Sequence, residues 1–408
     1  MPHGSRSVSA TRPIGMSRGS RPAGLGGFAP GLVLLLALLA ALAGPALAQT
    51  HHHPVNLSLF YPVSTNRTPD VSTNFRLNLL YGRLAAVRGL DLNAGVSVLD
   101  QELRGVQLTG IYSHLKGDFR GLQLTGGGNF TQGGGRGIQV AGLFNYDRGE
   151  IAGVQWAGLF NYAEAGFHGV QVASVLSMSD GPSGFLQLSS IANTSGAAFR
   201  GAQLSGFFNY AGHEVAGLQL SALNYAGTVS GAQLGLVNLA NRADGVQVGL
   251  VNVTEQQDGV PVGAVNVADN GTADWVSFAS SLMGINSGVR TSVSGFYSMF
   301  TLGGWDFQGT RHEAVSLTWN YGRAFPLGRQ LDLDADLGFV HIMPVKSDDP
   351  AENDWLHYAL QARALLERRV SPKVSIFGGA GVGVVFSEYS SRATSEVEPL
   401  FVAGVSAF

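Results

Sequence analysis

Asp332, Asp334 and Asp336 stand two residues apart in an otherwise apolar stretch. On a strand such residues point the same way, so the three acids share one face, and Leu331, Leu333, Ala335, Leu337 and Phe339 share the other. The next alternating stretch places Arg363 on a face with His357, Gln361 and Glu367. Acids and an arginine that converge in this way could line a polar lumen or offer oxygen ligands to Ca²⁺. Residues two apart on a rigid strand suit lumen electrostatics better. A second set is Gln107, Gln123, Gln139, Gln155, Gln171, Gln187, Gln203 and Gln219, spaced sixteen residues apart, then Gln233 and Gln247 at fourteen and Pro261 in the next slot. Amides at like positions of neighbouring strands hydrogen-bond to one another. The column therefore reads as a ladder or as the lining of a weakly selective lumen, with no catalytic glutamine.

Other candidates are weaker. His341 and His357 flank a loop that carries Asp348, Asp349 and Asp354, and could supply the base of a barrel-wall hydrolase. Beyond the predicted signal peptide no G-x-S-x-G is present, and the run Gly404-Val-Ser-Ala-Phe408 fails at its last position. His51, His52 and His53 could bind a transition metal, but such a stretch is more often a solvated tail. The glycines of 126–136 lack the lysine and the strand-to-helix context of a phosphate loop. The absence of cysteine removes disulfides, thiolate sites, a cysteine nucleophile and lipoprotein attachment. A net charge of −3 without a basic stripe gives nucleic acid no footprint. No catalytic residue, metal or cofactor is expected, and the ligand is unknown.

Four arginines (Arg6, Arg12, Arg18, Arg21) precede an apolar run at 31–43 and the small-residue box Ala46-Leu47-Ala48, which predicts a secretory signal peptide over 1–48. Translation starts at Met1 or at Met16. Nothing later supplies the eighteen consecutive apolar residues of a membrane helix. With 57 glycines and only 13% charged residues, the chain is composed like neither a disordered protein nor an ordinary soluble enzyme.

The repeat reads G-x-Q-x-x-G-x-x-N-Y, as in Gly153-Val-Gln-Trp-Ala-Gly-Leu-Phe-Asn-Tyr162, and shortens to G-x-Q-x-G-x-x-N, as in Gly245-Val-Gln-Val-Gly-Leu-Val-Asn252. Alternation separates Val154, Trp156, Phe160 and Tyr162 from Gln155, Ala157 and Asn161, which marks strands. Charges fall in the joints between units. An all-β fold follows, in one of two forms. A transmembrane antiparallel β-barrel of roughly twenty strands would turn the apolar face to lipid and the amides to a lumen. A parallel β-solenoid would make each unit one coil and attach to a smaller barrel of about eight strands, closed with the help of an N-terminal strand near 55–61. One repeat per strand favours the solenoid; weak alternation of the joints and the bulk of Trp156, Phe160 and Tyr162 favour the barrel wall, which leads.

From about Val289 the pattern becomes long alternating strands, with short turns at 326–329 and 368–373 and longer charged loops at 303–312, 345–354 and 388–398. If the C-terminus is periplasmic, every short turn falls in the periplasm and every long loop outside. The terminal Phe408, with Gly404 four residues before it, resembles the signal read by the barrel-assembly machinery. The expected organisation is a signal peptide (1–48), an N-terminal strand and linker (49–74), tandem repeats (75–270) and C-terminal barrel strands (271–408).

The tandem G-x-Q-x-G-L-x-N units, the opening Val55-Asn-Leu-Ser-Leu-Phe-Tyr-Pro62 and the segment Asn78-Leu-Leu-Tyr-Gly-Arg83 resemble the bacterial surface-repeat proteins first named from a spirochaete, over roughly residues 55–270. Some units depart from the pattern; Ser177 stands where the asparagine would be. The resemblance implies a surface or outer-membrane location and no particular chemistry. The leading expectation is a non-enzymatic protein of the outer membrane of a Gram-negative-type bacterium, a passive pore or surface structural element whose partners are outer-membrane lipid and the barrel-assembly machinery. The alternative is a surface adhesin or assembly scaffold that presents the repeats, with the barrel serving only as an anchor. A barrel enzyme comes third.

Overall fold

A computed structural model describes residues 51–304, 314–344, 356–389 and 392–407. The signal segment, both candidate start methionines, Phe408 and the loop acids Asp348, Asp349 and Asp354 lie outside these residues. Among the described residues the chain is strand throughout, without helix. It forms a parallel β-solenoid from His51 to Ala268 and a closed antiparallel barrel of eight strands from Thr272 to Ala407.

The solenoid replaces the barrel of roughly twenty strands. Each unit is one coil of two short strands, such as Ile151–Ala157 and Phe160–Ala163, and each strand pairs in parallel with its equivalents in the coils before and after. Gln155 stands opposite Gln139 and Gln171, and Phe160 opposite Phe144 and Leu176. The coil turns between its strands at Gly158-Leu159, a two-residue corner that preserves the alternation. Gln155, Ala157, Asn161 and Ala163 therefore all point inward and are fully buried. Trp156, 59% exposed, points out, which removes the objection that the aromatic side chains would crowd a coil's interior. Tight stacking makes glycine obligatory at Gly153, where φ is 140° and a Cβ would lie 1.9 Å from the carbonyl oxygen of Gly137. Under the charged joints an inner apolar row (Phe119, Ile151, Phe167, Phe199, Val215) completes the core.

The strand Val55–Phe60 belongs to the solenoid rather than to the barrel, pairing in parallel with Val71–Asn93. The barrel is closed instead by two strands earlier than the long ones legible in the sequence. Its strands are, in order, Thr272–Ser280, Gly284–Val293, Phe296–Gly304, Ala314–Pro326, Leu331–Pro344, Leu356–Ser371, Val374–Tyr389 and Arg392–Ala407. The first and last pair from Trp275 with Ala407 to Ser280 with Val402. Three short turns, at 294–295, 327–330 and 372–373, lie at one end, together with the entry from the solenoid; the strand ends Ser280, Gly304, Pro344 and Tyr389 lie at the other, where 281–283 is also a short turn. The expected loop at 388–398 is strand, because the last two strands extend until Tyr389 pairs with Arg392.

Candidate functional site

The solenoid core holds two amide ladders of opposite polarity. Each glutamine Nε2 donates to the Oε1 of the glutamine one coil earlier, from Gln247 through Gln233 (2.8 Å), Gln219, Gln203, Gln187, Gln171, Gln155, Gln139 and Gln123 to Gln107. Gln107 ends the series on the Asp91 carboxylate at 2.8 Å, and Arg76 pairs with that carboxylate through two bonds of 2.6 Å. Arg76 and Asp91 are both fully buried. At the other end Pro261 stands opposite Gln247 and has no side-chain donor, so the Gln247 Oε1 is left without a partner.

The asparagines donate the other way. Asn129, Asn145 and Asn161 form one run, Ser177 interrupts it, and Asn193, Asn209, Asn224, Asn238, Asn252 and Asn266 form the next. Most corners are also stitched to the following coil, as where Asn145 Nδ2 reaches the Trp156 carbonyl at 3.0 Å. Buried amides are costly unless paired, and the repeat period pairs them. Asp147 intrudes on this core, accepting from the Nε2 of both Gln139 and Gln155, and full burial pushes its carboxyl up to about 7. In the outward row but itself covered, His114 is lowered to about 4 by burial, its ring set edge-on to Phe130 at 5.0 Å.

Inside the barrel, Arg363 pairs with Asp336 through two bonds of 2.9 Å, and Tyr297 Oη and Asn320 Nδ2 donate to the same carboxylate. Nearer the short-turn mouth, Arg290 binds Glu367 at 2.5 and 3.0 Å, reaches Asp274 at 3.3 Å and lies 3.6 Å from Asp334. Asp332 is half-buried at the rim of a cavity of about 170 Å³ that these groups line. An apolar layer of Phe278, Met299, Leu365, Phe377 and Val402 crosses the interior, and at the opposite end Leu282 and Met283 fold in against Val340, Ile342 and Leu400. Side chains thus fill the barrel, as eight strands allow. No family model, curated protein or solved structure matches the chain.

The structure brings Asp336 onto Arg363, places Asp334 with Arg290 and Glu367 and Asp332 at the cavity rim, and keeps all of them apart from the glutamines, which lie in the solenoid core and line no barrel lumen. Gly404 faces inward on the closing strand, where a Cβ would meet Phe278 Cβ at 2.3 Å, so interior packing alone requires glycine there. His341 and His357 differ by an even number of residues in sequence but lie on adjacent strands, where His341 pairs with Tyr358 and His357 with Ile342. His357 is buried with the inward row of Gln361 and Arg363, whereas His341 shares the outward row with Leu317 and Tyr358, so the two cannot serve one site. Sequence reasoning missed Asp274, Arg290 and Tyr297, which need closure of the barrel to meet Glu367 and Asp336. It also missed Arg76, the partner of Asp91, which stands sixteen residues before Gln107 in the sequence.

Two apolar surfaces remain. The barrel's outer wall carries Val289, Leu302, Leu317, Leu337, Leu360 and Phe401, all at least 43% exposed. Rings gather at two levels of that wall, Phe296 with Tyr321 toward the short turns and Phe339, Tyr358 and Phe386 toward the other end. The solenoid has an uncharged side formed by its corners, from Thr109-Gly-Ile111 to Gly263-Ala264, and a charged side formed by its joints.

Proposed function

We propose that the protein is a non-enzymatic scaffold of the bacterial outer membrane, in which an eight-stranded barrel anchors a rigid β-solenoid that presents its surface to partners. The observation that carries this reading is the packed barrel: among the described residues an Arg and carboxylate network at one mouth, an apolar layer across the middle and Leu282 and Met283 at the far mouth occupy its interior. An apolar wall, with Phe339, Tyr358 and Phe386 gathered toward one end, is the surface a membrane barrel turns to lipid. The N-terminal signal peptide supplies export, and the terminal strand with Gly404 and Phe408 supplies the address for the barrel-assembly machinery. Likeness of the repeats to surface-repeat proteins agrees with an envelope location.

Short turns of such barrels face the periplasm. The solenoid leaves at that end, which supports the assembly-scaffold form of this reading, working on the periplasmic side, over the surface-adhesin form.

Two measurements test this. In planar bilayers the reconstituted protein passes no ion current; stable single-channel steps would restore the pore reading. Arg242→Cys, on the charged side of the cysteine-free chain, stays unlabelled by a membrane-impermeant thiol reagent in intact cells and reacts after the outer membrane is permeabilised. Labelling in intact cells would return the adhesin reading.

A further inference from the structure

The final coil meets the barrel on its outer wall and not over its mouth. Tyr297 points inward to Asp336 and Met299 joins the inner apolar layer, so Ser298 between them points outward, yet it is only 2% exposed. The last coil covers it: Asn266 Nδ2 donates to Ser298 Oγ, which donates in turn to the Gly263 carbonyl, each at 2.7 Å. Tyr321, opposite Ser298 on the next strand, donates to the Pro261 carbonyl at 2.9 Å. The solenoid therefore runs outward from the side of the barrel, along the plane a membrane would occupy.

These contacts also fix how the coils are turned about that axis. The charged side touches the short-turn rim, where the Ser294 hydroxyl donates to the Gln257 carbonyl. The corner residue Gly263 touches Ser298, four residues further into the wall. The uncharged corners are thus on the side of the apolar wall and the joints on the side of the rim. Along one coil the outward side chains follow the same gradient, from Leu159 at the corner through Phe160 and Tyr162 to Glu164 in the joint. That order, aliphatic, then aromatic, then hydroxylated aromatic, then charge, is the order of depth in a bilayer interface.

We infer that the solenoid lies along the phospholipid leaflet next to the short-turn rim of the barrel, its corner column (Ile111, Leu143, Leu159, Ile191, Phe207, Leu250) seated among headgroups and upper acyl chains. Each of these six is at least 46% exposed. The same division of faces holds amphipathic elements in membrane interfaces. This rests on the barrel being membrane-inserted, and it names the partner of the scaffold's apolar side as lipid. The charged side is left free for water and protein.

The test uses single cysteines in the full chain, labelled with an environment-sensitive fluorophore in phospholipid vesicles that carry spin labels at shallow or deep acyl positions. Leu317→Cys reports the barrel wall, Leu159→Cys and Phe207→Cys the corners, and Glu164→Cys the joints. The expected pattern is deep quenching at position 317, several-fold stronger shallow than deep quenching at 159 and 207, and none at 164. Quenching at 317 with none at 159 and 207 overturns the inference and leaves the anchor intact. If 159 and 207 are then also shielded from a water-soluble thiol reagent, a second copy or another protein covers the corners. No quenching at 317 overturns the anchor, and with it this inference.

Discussion

Asn266 donates its side-chain N–H to Ser298 Oγ at 2.7 Å, so the asparagine ladder of the solenoid ends on the barrel wall. Ser298 also satisfies the Gly263 carbonyl, and the two parts of the chain share one buried polar junction.

Ser298→Ala adds no bulk and removes both bonds. An unmet buried donor and acceptor cost about 1–3 kcal/mol each, concentrated where the chain passes from coil to barrel. Limited proteolysis should then cut between residues 268 and 272 at least ten times faster than in the parent. An unchanged rate would mean that the junction is held by other contacts.

Asp147 gives the solenoid a pH dependence. Burial raises its carboxyl to about 7, above the value of about 3.9 for an exposed aspartate. The folded state then holds the proton more tightly than the unfolded chain. The associated stability is complete below about pH 4, declines as the pH rises and is gone above about pH 7. Asp147→Asn should flatten the denaturation midpoint between pH 4 and 8; a slope equal to the parent's would assign the effect elsewhere.

The pair of Arg76 and Asp91 closes the glutamine ladder with a charge. Arg76→Met leaves a buried carboxylate with only the uncharged donors Asn93, Ser97 and Gln107, and loss of one partner of a buried pair costs about 3–5 kcal/mol. Adding Asp91→Gln removes the charge and extends the ladder by one rung, so the double variant should recover at least half of the lost stability in urea titration. Equal midpoints for the single and double variants would contradict this account.

Removing an interior rung acts on both neighbours. Gln171→Leu deprives Gln155 Oε1 of its donor and Gln187 Nε2 of its acceptor, which should cost about 2–4 kcal/mol. Hydrogen exchange should rise first in the coils that hold Gln155 and Gln187, since each coil contacts only its neighbours.

Phe185 stands in the column that Gly153, Gly169, Gly201 and Gly217 occupy with positive φ, and its own φ is 90°. Its ring is 68% exposed, so little packing offsets the strain. Phe185→Gly should raise stability by about 1 kcal/mol. A loss of stability would mean that the ring makes a contact that the isolated chain does not display.

The spacing of sixteen and the two-residue alternation made the ladder and the two faces legible in sequence. The coil was not, because the Gly158-Leu159 corner keeps parity, and two short strands on adjoining sheets then read like one long strand. Which face is inside was hidden too. Amides such as Gln155 can fill a core only when each finds its equivalent 4.7–4.9 Å away in a parallel neighbour, a condition of register that a single unit cannot display. In the barrel, Asp336 and Arg363 were legible because their strands are adjacent in sequence. Arg290 and Glu367 lie 77 residues apart and meet only across the closed interior.

The two ends of the coil stack are finished by different means. The first coil ends on the buried Arg76 and Asp91 and on the short antiparallel pairing of Val55–Phe60 with Val63–Ser64, all supplied by residues made early. The last is finished by Ser298 and Tyr321, made after it. A chain growing from its N-terminus thus carries an open backbone template at its newest coil until the third and fourth barrel strands arrive, and a copy truncated before them would recruit strands from its neighbours.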